Sequence, residues 1–388
     1  MSTQSFADLG VSPAVFTALA HRGIVNPFPV QRLVIADVLA GNDVLVKSPT
    51  GSGKTLAFGV PLVDRLDANG PKQSALILAP TRELALQIAE EIRDIAHARA
   101  LAVAALYGGA GIERQARLAR RAHVIVATPG RLEDLIARGA VSLHAIQVVV
   151  LDEADRMLDM GFRPVVDRIL ARTPQNRQTL LFSATLDGEV GRLASAYTDR
   201  PRRHEHRPTE NRRRDIEHRF VAVEHADKVA RLVTIVNTDG VDRALVFVRT
   251  KRGADRLVKR LRSHGVESVG MHGDKTQGQR EKALARFARG ECDVLVATDV
   301  AARGLDVDGI THVIHFDAPG DRESYVHRAG RTGRAGRTGS SITFVMADQV
   351  PDVSSFAGEL SLHREFTAGG FGERHVPARR RRSRGARR

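Results

Sequence analysis

Tryptophan is absent from the 388-residue sequence, and aromatic residues make up only 4% of it. A platform of stacked rings for gripping single-stranded bases is therefore not available. Cysteine occurs once, at Cys292, which excludes a disulfide framework, a cysteine-ligated iron–sulfur cluster and a zinc ribbon. No apolar run approaches the length of a membrane span, and the opening MSTQSFADLG has neither a basic stretch nor an apolar core of the secretory kind. These absences predict a cytoplasmic protein without a membrane partner.

Positive charge is abundant. The net charge is +14, and the stretch Arg374–Arg388 alone holds eight arginines and no acid, leaving +6 for the other 373 residues. Such a surface suits a polyanion, most often nucleic acid, with its backbone as the part gripped. The arginine tail can act as an RNA tether or as a solubilising segment. Hydrophobic content of 42% and the chain length fit two or three globular domains.

The organising stretch is Ser48–Thr55, SPTGSGKT, which follows the apolar DVLVK and precedes a helical pattern. A strand, a glycine turn, Lys-Thr and a helix form a phosphate cradle. Gly51 and Gly53 let backbone N–H groups face inward, Lys54 can reach the β- and γ-phosphates, and the Thr55 hydroxyl can bind Mg²⁺. Short unalternating apolar runs then alternate with helical ones, from DVLVK to TLLFSAT, which predicts an α/β fold with parallel strands buried on both faces. Residues 199–218, DRPRRHEHRPTENRRRDIEH, are nearly devoid of apolar side chains and read as a linker. The pattern then restarts. ALVFVRTKRGADRLVKRL repeats ALILAPTRELALQIAEEI 169 residues on, and CDVLVATDV repeats AHVIVATPG 170 residues on. This predicts a tandem duplication, whose second copy has no phosphate loop. The boundaries expected are 1–200, a linker at 201–218, 219–350, and a short helix with a disordered tail at 351–388.

At the end of the run QVVVL stand Asp152 and Glu153, an acid placed to hold Mg²⁺ beside one placed to orient a water. Asp152–Asp155 spells DEAD. With PTRELA (80–85), Gly108-Gly109, TPGR (128–131), SAT (183–185), ARGLD (302–306) and HRAGRTGR (327–334) in that order, the chain from Phe6 to Met346 resembles the DEAD-box ATP-dependent RNA helicases.

The resemblance implies two RecA-like domains facing a cleft, ATP and Mg²⁺ as cofactors, and RNA-stimulated ATP hydrolysis coupled to duplex separation or RNA–protein remodelling. It implies adenine reading by Gln31 and a ring near the base from Phe6, a position that also suits an ordinary core phenylalanine. Nucleotide contacts are implied for Thr50, Gly51, Ser52, Gly53, Lys54, Thr55, Gly304 and Asp306. Arginine fingers are implied at Arg331 and Arg334. Coupling falls to Ser183, Thr185 and His327, which could equally be helix caps and a structural histidine. For RNA it points to Thr81, Arg82, Gly109, Thr128 and Arg131, then Thr250, Gln277, Arg280, Thr298 and Asp299, contacts to backbone rather than base edges. It also implies a monomer that can join ribosomal or RNA-degrading complexes. The sequence departs from the family at Phe28, where a hydroxyl residue is usual, and at Ser48-Pro49, where Ala-Gln is usual. His315, on an inner strand, has no role in this reading.

Overall fold

Short runs of Val, Leu and Ile become strands because each is buried on both faces by helices. In the computed structural model the described residues are 4–372, apart from Thr50, 207–215, Asp239, 303–306, Asp308 and 334–336. Gly304, Asp306, Arg334 and the arginine tail therefore lie outside the described residues, as does Thr50. The chain divides into two compact units, the first ending at residue 209.

The first unit opens with α1 (Pro13–His21) and α2 (Pro29–Leu39). Both start on a proline, whose missing N–H costs nothing in a first turn. Ser12 does not cap α1 with its side chain; its N–H donates to the Asp64 carboxylate at 2.7 Å. There follow β1 (Val44–Lys47), α3 (Lys54–Arg65), β2 (Ala75–Leu78), α4 (Arg82–Ala98), β3 (Val103–Leu106), α5 (Ile112–Arg121), β4 (Val124–Ala127) and α6 (Pro129–Ala137). Then come β5 (Val148–Leu151), α7 (Ala154–Asp159), α8 (Arg163–Leu170), β6 (Gln178–Ser183), α9 (Gly188–Tyr197) and β7 (Arg202–Glu205). All pairings are parallel, in the order β3-β4-β2-β5-β6-β1-β7. That order sets the carboxyl ends of β5, β6 and β1 side by side, the usual place for a ligand in such sheets.

The second unit contains β8 (Ile216–Ala222), α10 (Lys228–Thr238), β9 (Ala244–Phe247), α11 (Lys251–Ser263), β10 (Ser268–Met271), α12 (Gln277–Ala288), β11 (Val294–Ala297) and α13 (Asp299–Ala302). It continues through β12 (His312–His315), α14 (Arg322–Ala329), β13 (Gly339–Val345), α15 (Val350–Glu359) and α16 (His363–Ala368). Its six parallel strands run β10-β11-β9-β12-β13-β8.

Two expectations need correction. The stretch 201–218 is not all linker, because it begins with β7 and ends in β8. The charged β7, RRHE, forms because an edge strand needs backbone pairing with β1 alone and leaves its side chains in water. Nor is the segment after 350 an appendage. Phe356 and Phe366 are buried with Phe220, Tyr325 and Val345 in one core cluster, the Phe366 ring meeting Phe220 edge-on at 5.3 Å.

That cluster also explains His315. It is wholly buried, stacks on Tyr325 at 5.0 Å and shares a 3.1 Å hydrogen bond with the Ser341 hydroxyl. Burial and the nearby Arg328 hold it well below its ordinary pKa, so it is a neutral core residue. His218 shares a 2.7 Å hydrogen bond with the Tyr325 hydroxyl, and burial pushes its pKa down to about 4. Because the unfolded chain takes up that proton near 6.5, stability contributed by neutral His218 is present above that pH. It drains away as pH falls toward 4, by roughly 3 kcal/mol. Urea unfolding of the second unit should therefore show a midpoint that drops over this window, and a His218→Gln variant should show a shallower drop.

Candidate active site and nucleic-acid interface

The phosphate loop is built on backbone that only glycine adopts freely. Gly51 and Gly53 have φ of +74° and +89°. A Cβ at Gly53 would also stand 2.5 Å from the Phe28 ring and 2.9 Å from Gln31 Nε2. Lys54 is buried and donates from Nζ to the Ser48 carbonyl at 3.2 Å, while the Ser48 and Ser52 hydroxyls lie 2.6 Å apart. Ser48 continues the sheet, its N–H donating to the Ser183 carbonyl at 2.9 Å. The two family departures thus have different consequences. Ser48 adds a hydroxyl contact across the loop, and Pro49 follows the last ladder donor, so its missing N–H interrupts no strand pairing.

Gln31 is 2% exposed and tied at both ends of its amide. Oε1 accepts from the Phe28 N–H at 2.8 Å, and Nε2 donates to the Gly53 carbonyl at 2.9 Å. The residue expected to read adenine is thus in direct contact with the loop that would hold the phosphates. Phe6 is not near enough to the surface to join it. Its ring is fully buried in the core with Leu9, Val11 and Val34, because the turn Ala7–Leu9 tucks that segment beneath α2. The ring exposed beside the loop belongs to Phe28, at 53%. Its signal in the sequence was an aromatic side chain between two prolines at a helix N-cap, where burial is difficult.

Asp152, at the end of β5, is buried, and burial pushes its carboxyl up to about 6. Lys54 opposes that shift, whereas Glu153 and Asp155 add to it. A carboxyl held this way by one lysine suits a divalent cation, which would restore its charge. Among the described residues no cluster of three or more His, Cys, Asp or Glu could hold a metal. Glu153 is buried in left-handed backbone, φ 50° and ψ 52°, at a cost on the order of 1–3 kcal/mol. Its Oε2 accepts from Arg156 Nη1 at 2.7 Å. Asp155 binds the next strand end reciprocally: its N–H donates to Ser183 Oγ at 3.2 Å, and its Oδ2 accepts from the Ala184 N–H at 3.1 Å. The N–H of Thr185 also donates to Ser183 Oγ, at 3.3 Å.

In the second unit Arg331 is 5% exposed, with Nε donating to the His327 carbonyl at 3.3 Å. The arginine that sequence reading passed over is Arg328. It grips both Asp299 oxygens at 2.6 and 2.7 Å, donates to the Asp317 carbonyl at 2.7 Å and lies over the Phe247 ring at 5.1 Å.

Residues 28–193 match the family model described as DEAD/DEAH box helicase, and residues 227–336 match the helicase conserved C-terminal domain. The chain is 42% identical over 346 residues to ATP-dependent RNA helicase CshA of Limosilactobacillus reuteri, covering 89% of this chain and 70% of that protein. The chain belongs to the DEAD-box helicases. To CshA of Geobacillus kaustophilus it is 43% identical, over 89% of this chain and 74% of the relative. Among solved structures it is similar to S. cerevisiae Dbp5 bound to RNA and ADP BeF3, with a TM-score of 0.82 and 28% identity over 95% and 94% of the two chains. It is also similar to Mss116p bound to ssRNA and AMP-PNP, with a TM-score of 0.80 and 29% identity over 92% and 78%. Both sheets are thus RecA-like.

The residues that the family resemblance assigns to RNA sort into two groups. Arg82 lies over Gly109, where a Cβ would meet its guanidinium at 2.2 Å. Arg131 donates from Nη1 to the Ala110 carbonyl at 3.1 Å and to Gln115 Oε1 at 2.9 Å. Gln115 in turn donates to the Tyr107 carbonyl and accepts from its N–H. These residues form one continuous patch around the loop between β3 and α5. Sequence reading missed Gln115, although a glutamine on the alanine face of α5 marks it. By contrast, the Thr81 and Thr250 hydroxyls cap α4 and α11, accepting from the N–H groups of Leu84 and Gly253. Thr128 stands at the N-cap of α6 without a side-chain cap bond, and Thr298 is buried. Asp299 was expected to meet RNA; its carboxylate is engaged by Arg328, which ties the start of α13 to α14. Arg280 lies on α12, half-buried; the Gln277 side chain lies outside the described residues.

Gly53→Ala should weaken ATP binding about tenfold, since left-handed backbone disfavours alanine by roughly 1–2 kcal/mol and the new Cβ displaces Gln31. Titration with a fluorescent ATP analogue reads this directly; unchanged affinity would show that the loop does not rely on this conformation.

Proposed function

We propose that the chain is an ATP-dependent RNA helicase that hydrolyses ATP when RNA is bound and separates short duplexes or remodels RNA–protein complexes. The observation that carries this reading is the meeting of three strand ends, where Lys54, the Asp152–Glu153 pair and Ser183 share one hydrogen-bonded site. The relatives' names and the RNA- and nucleotide-bound states of the similar structures support it.

In this reading Lys54 and the loop N–H groups hold the β- and γ-phosphates. Thr55 and Asp152 hold Mg²⁺, which supplies charge neutralisation on the phosphates when bound. Glu153 orients the attacking water and draws off its proton, its carboxylate steadied by Arg156. Arg331 and Arg334 are assigned the neutralisation of the transferring phosphoryl group, Gly304 and Asp306 further nucleotide contacts, and His327 and Thr185 the coupling. Gln31 reports on the base through the Gly53 carbonyl it already holds. RNA is gripped through its backbone by the Arg82–Gly109–Arg131 patch and by Thr250, Gln277 and Arg280, which favours little sequence preference. Among the described residues no helix is long and apolar enough to cross a membrane. A monomer working in ribosomal or RNA-degrading complexes follows from the family resemblance alone.

Glu153→Gln should lower RNA-stimulated ATP turnover at least about 100-fold, the ordinary scale for a lost general base, while ATP still binds. Turnover is compared with RNA and with DNA of equal length. Stimulation by DNA alone, or normal turnover by the variant, would overturn this reading.

A further inference from the structure

The helix α5 carries more positive charge than its fold requires. Its sequence, IERQARLARR, puts Gln115, Ala116 and Ala119 against the sheet and exposes Arg114, Arg117, Arg120 and Arg121. At 100° per residue, Arg114, Arg117 and Arg121 fall within about 60° of one another on the face turned away from the sheet. Arginines three and four residues apart on a helix repel, by a few tenths of a kcal/mol per pair.

Several arginines on neighbouring helices of this unit are offset. Arg131, Arg138, Arg163 and Arg168, on or beside α6 and α8, each pair with a carboxylate. The four exposed arginines of α5 form no ion pair among the described residues, not even with Glu113, the one acid of the helix. The stripe is thus a self-repelling set of cations left to solvent.

Its position gives that charge a use. α5 starts directly after Gly111, at the end of the loop that holds Gly109, Arg82 and Arg131 together. It packs on β3, an edge strand of the sheet, so no further strand lies beyond it. The helix is about 15 Å long, enough to follow several phosphates of a strand leaving the loop. Arginine side chains suit such contacts, being always charged and able to bind phosphate through two N–H groups.

We propose that the arginine stripe of α5 is an additional RNA-binding surface, which grips phosphates beyond those held at the Gly109 loop and extends the footprint on the first unit. This rests on the reading of the chain as an RNA-dependent ATPase. The stripe selects for RNA length rather than sequence, because it meets only backbone.

The test is a full-length Arg114→Gln, Arg117→Gln, Arg121→Gln triple variant, whose exposed substitutions remove the charge while keeping an unbranched polar side chain and similar helix propensity. ATP turnover is titrated with single-stranded RNAs of about six and about twenty nucleotides, lengths chosen to fill the loop alone or to run past it. The concentration of long RNA for half-maximal turnover should rise about tenfold. The slope of log affinity against log salt should flatten by about 2, at roughly 0.7 per phosphate contact for three contacts. Response to the short RNA and maximal turnover should be unchanged. Because wild type and variant both carry the arginine tail, its contribution cancels. Equal affinity for the long RNA with an unchanged salt slope would overturn the proposal while leaving the ATPase reading intact. If wild-type turnover responded to no RNA at all, the ATPase reading would fail and this extension with it.

Discussion

The site depends on a set of hydrogen bonds that fasten three strand ends together. The Ser48 N–H on Ser183 joins β1 to β6, and the exchange between Asp155 and the Ser183–Ala184 segment joins β6 to the start of α7. Each bond is worth about 1 kcal/mol in stability. Their larger effect is positional. They fix Lys54 and Asp152 in register, so that the lysine opposes the desolvation of the buried carboxyl. Without them the loop would be a glycine turn and the acids a helix start.

This explains how much of the site could be read beforehand. Motif spacing gave the strand ends, since a phosphate loop and an acidic tetrapeptide keep their meaning wherever they follow a buried strand. All six apolar runs of the first half became strands. The edges were less legible. β7 has four charged or polar residues and pairs only because β1 offers a free row of backbone groups, which no side-chain pattern announces. β8 and β10 were likewise hidden, one beginning inside the expected linker and the other behind the glycine of SVGM.

Side chains were harder to read than strands, for a related reason. Phe6 and Phe28 are both aromatics near the same helix, and the resemblance pointed to Phe6, which is buried, while Phe28 is the exposed ring. Burial decides between them, and burial follows from how the chain packs under α2. Asp299 and Arg328 show the same thing with charge. Asp299 reads as a free polar group in its motif, yet a bidentate pair with Arg328 engages it and ties it to the helix preceding Arg331. His315 needed the reverse correction, since a titratable residue without a role proved to be a flat polar ring filling a stack between Phe247 and Tyr325.

Glu153 sits in backbone that glycine or asparagine would occupy more comfortably. At this position the residue best suited to the chain's shape and the residue that the proposed mechanism assigns to the water differ. On that proposal, substitutions that ease the backbone are ones that silence the enzyme, and a library selected for foldedness alone would drift away from glutamate here. Tolerance measured by folding and tolerance measured by turnover should part company more sharply at residue 153 than at its neighbours on the same helix.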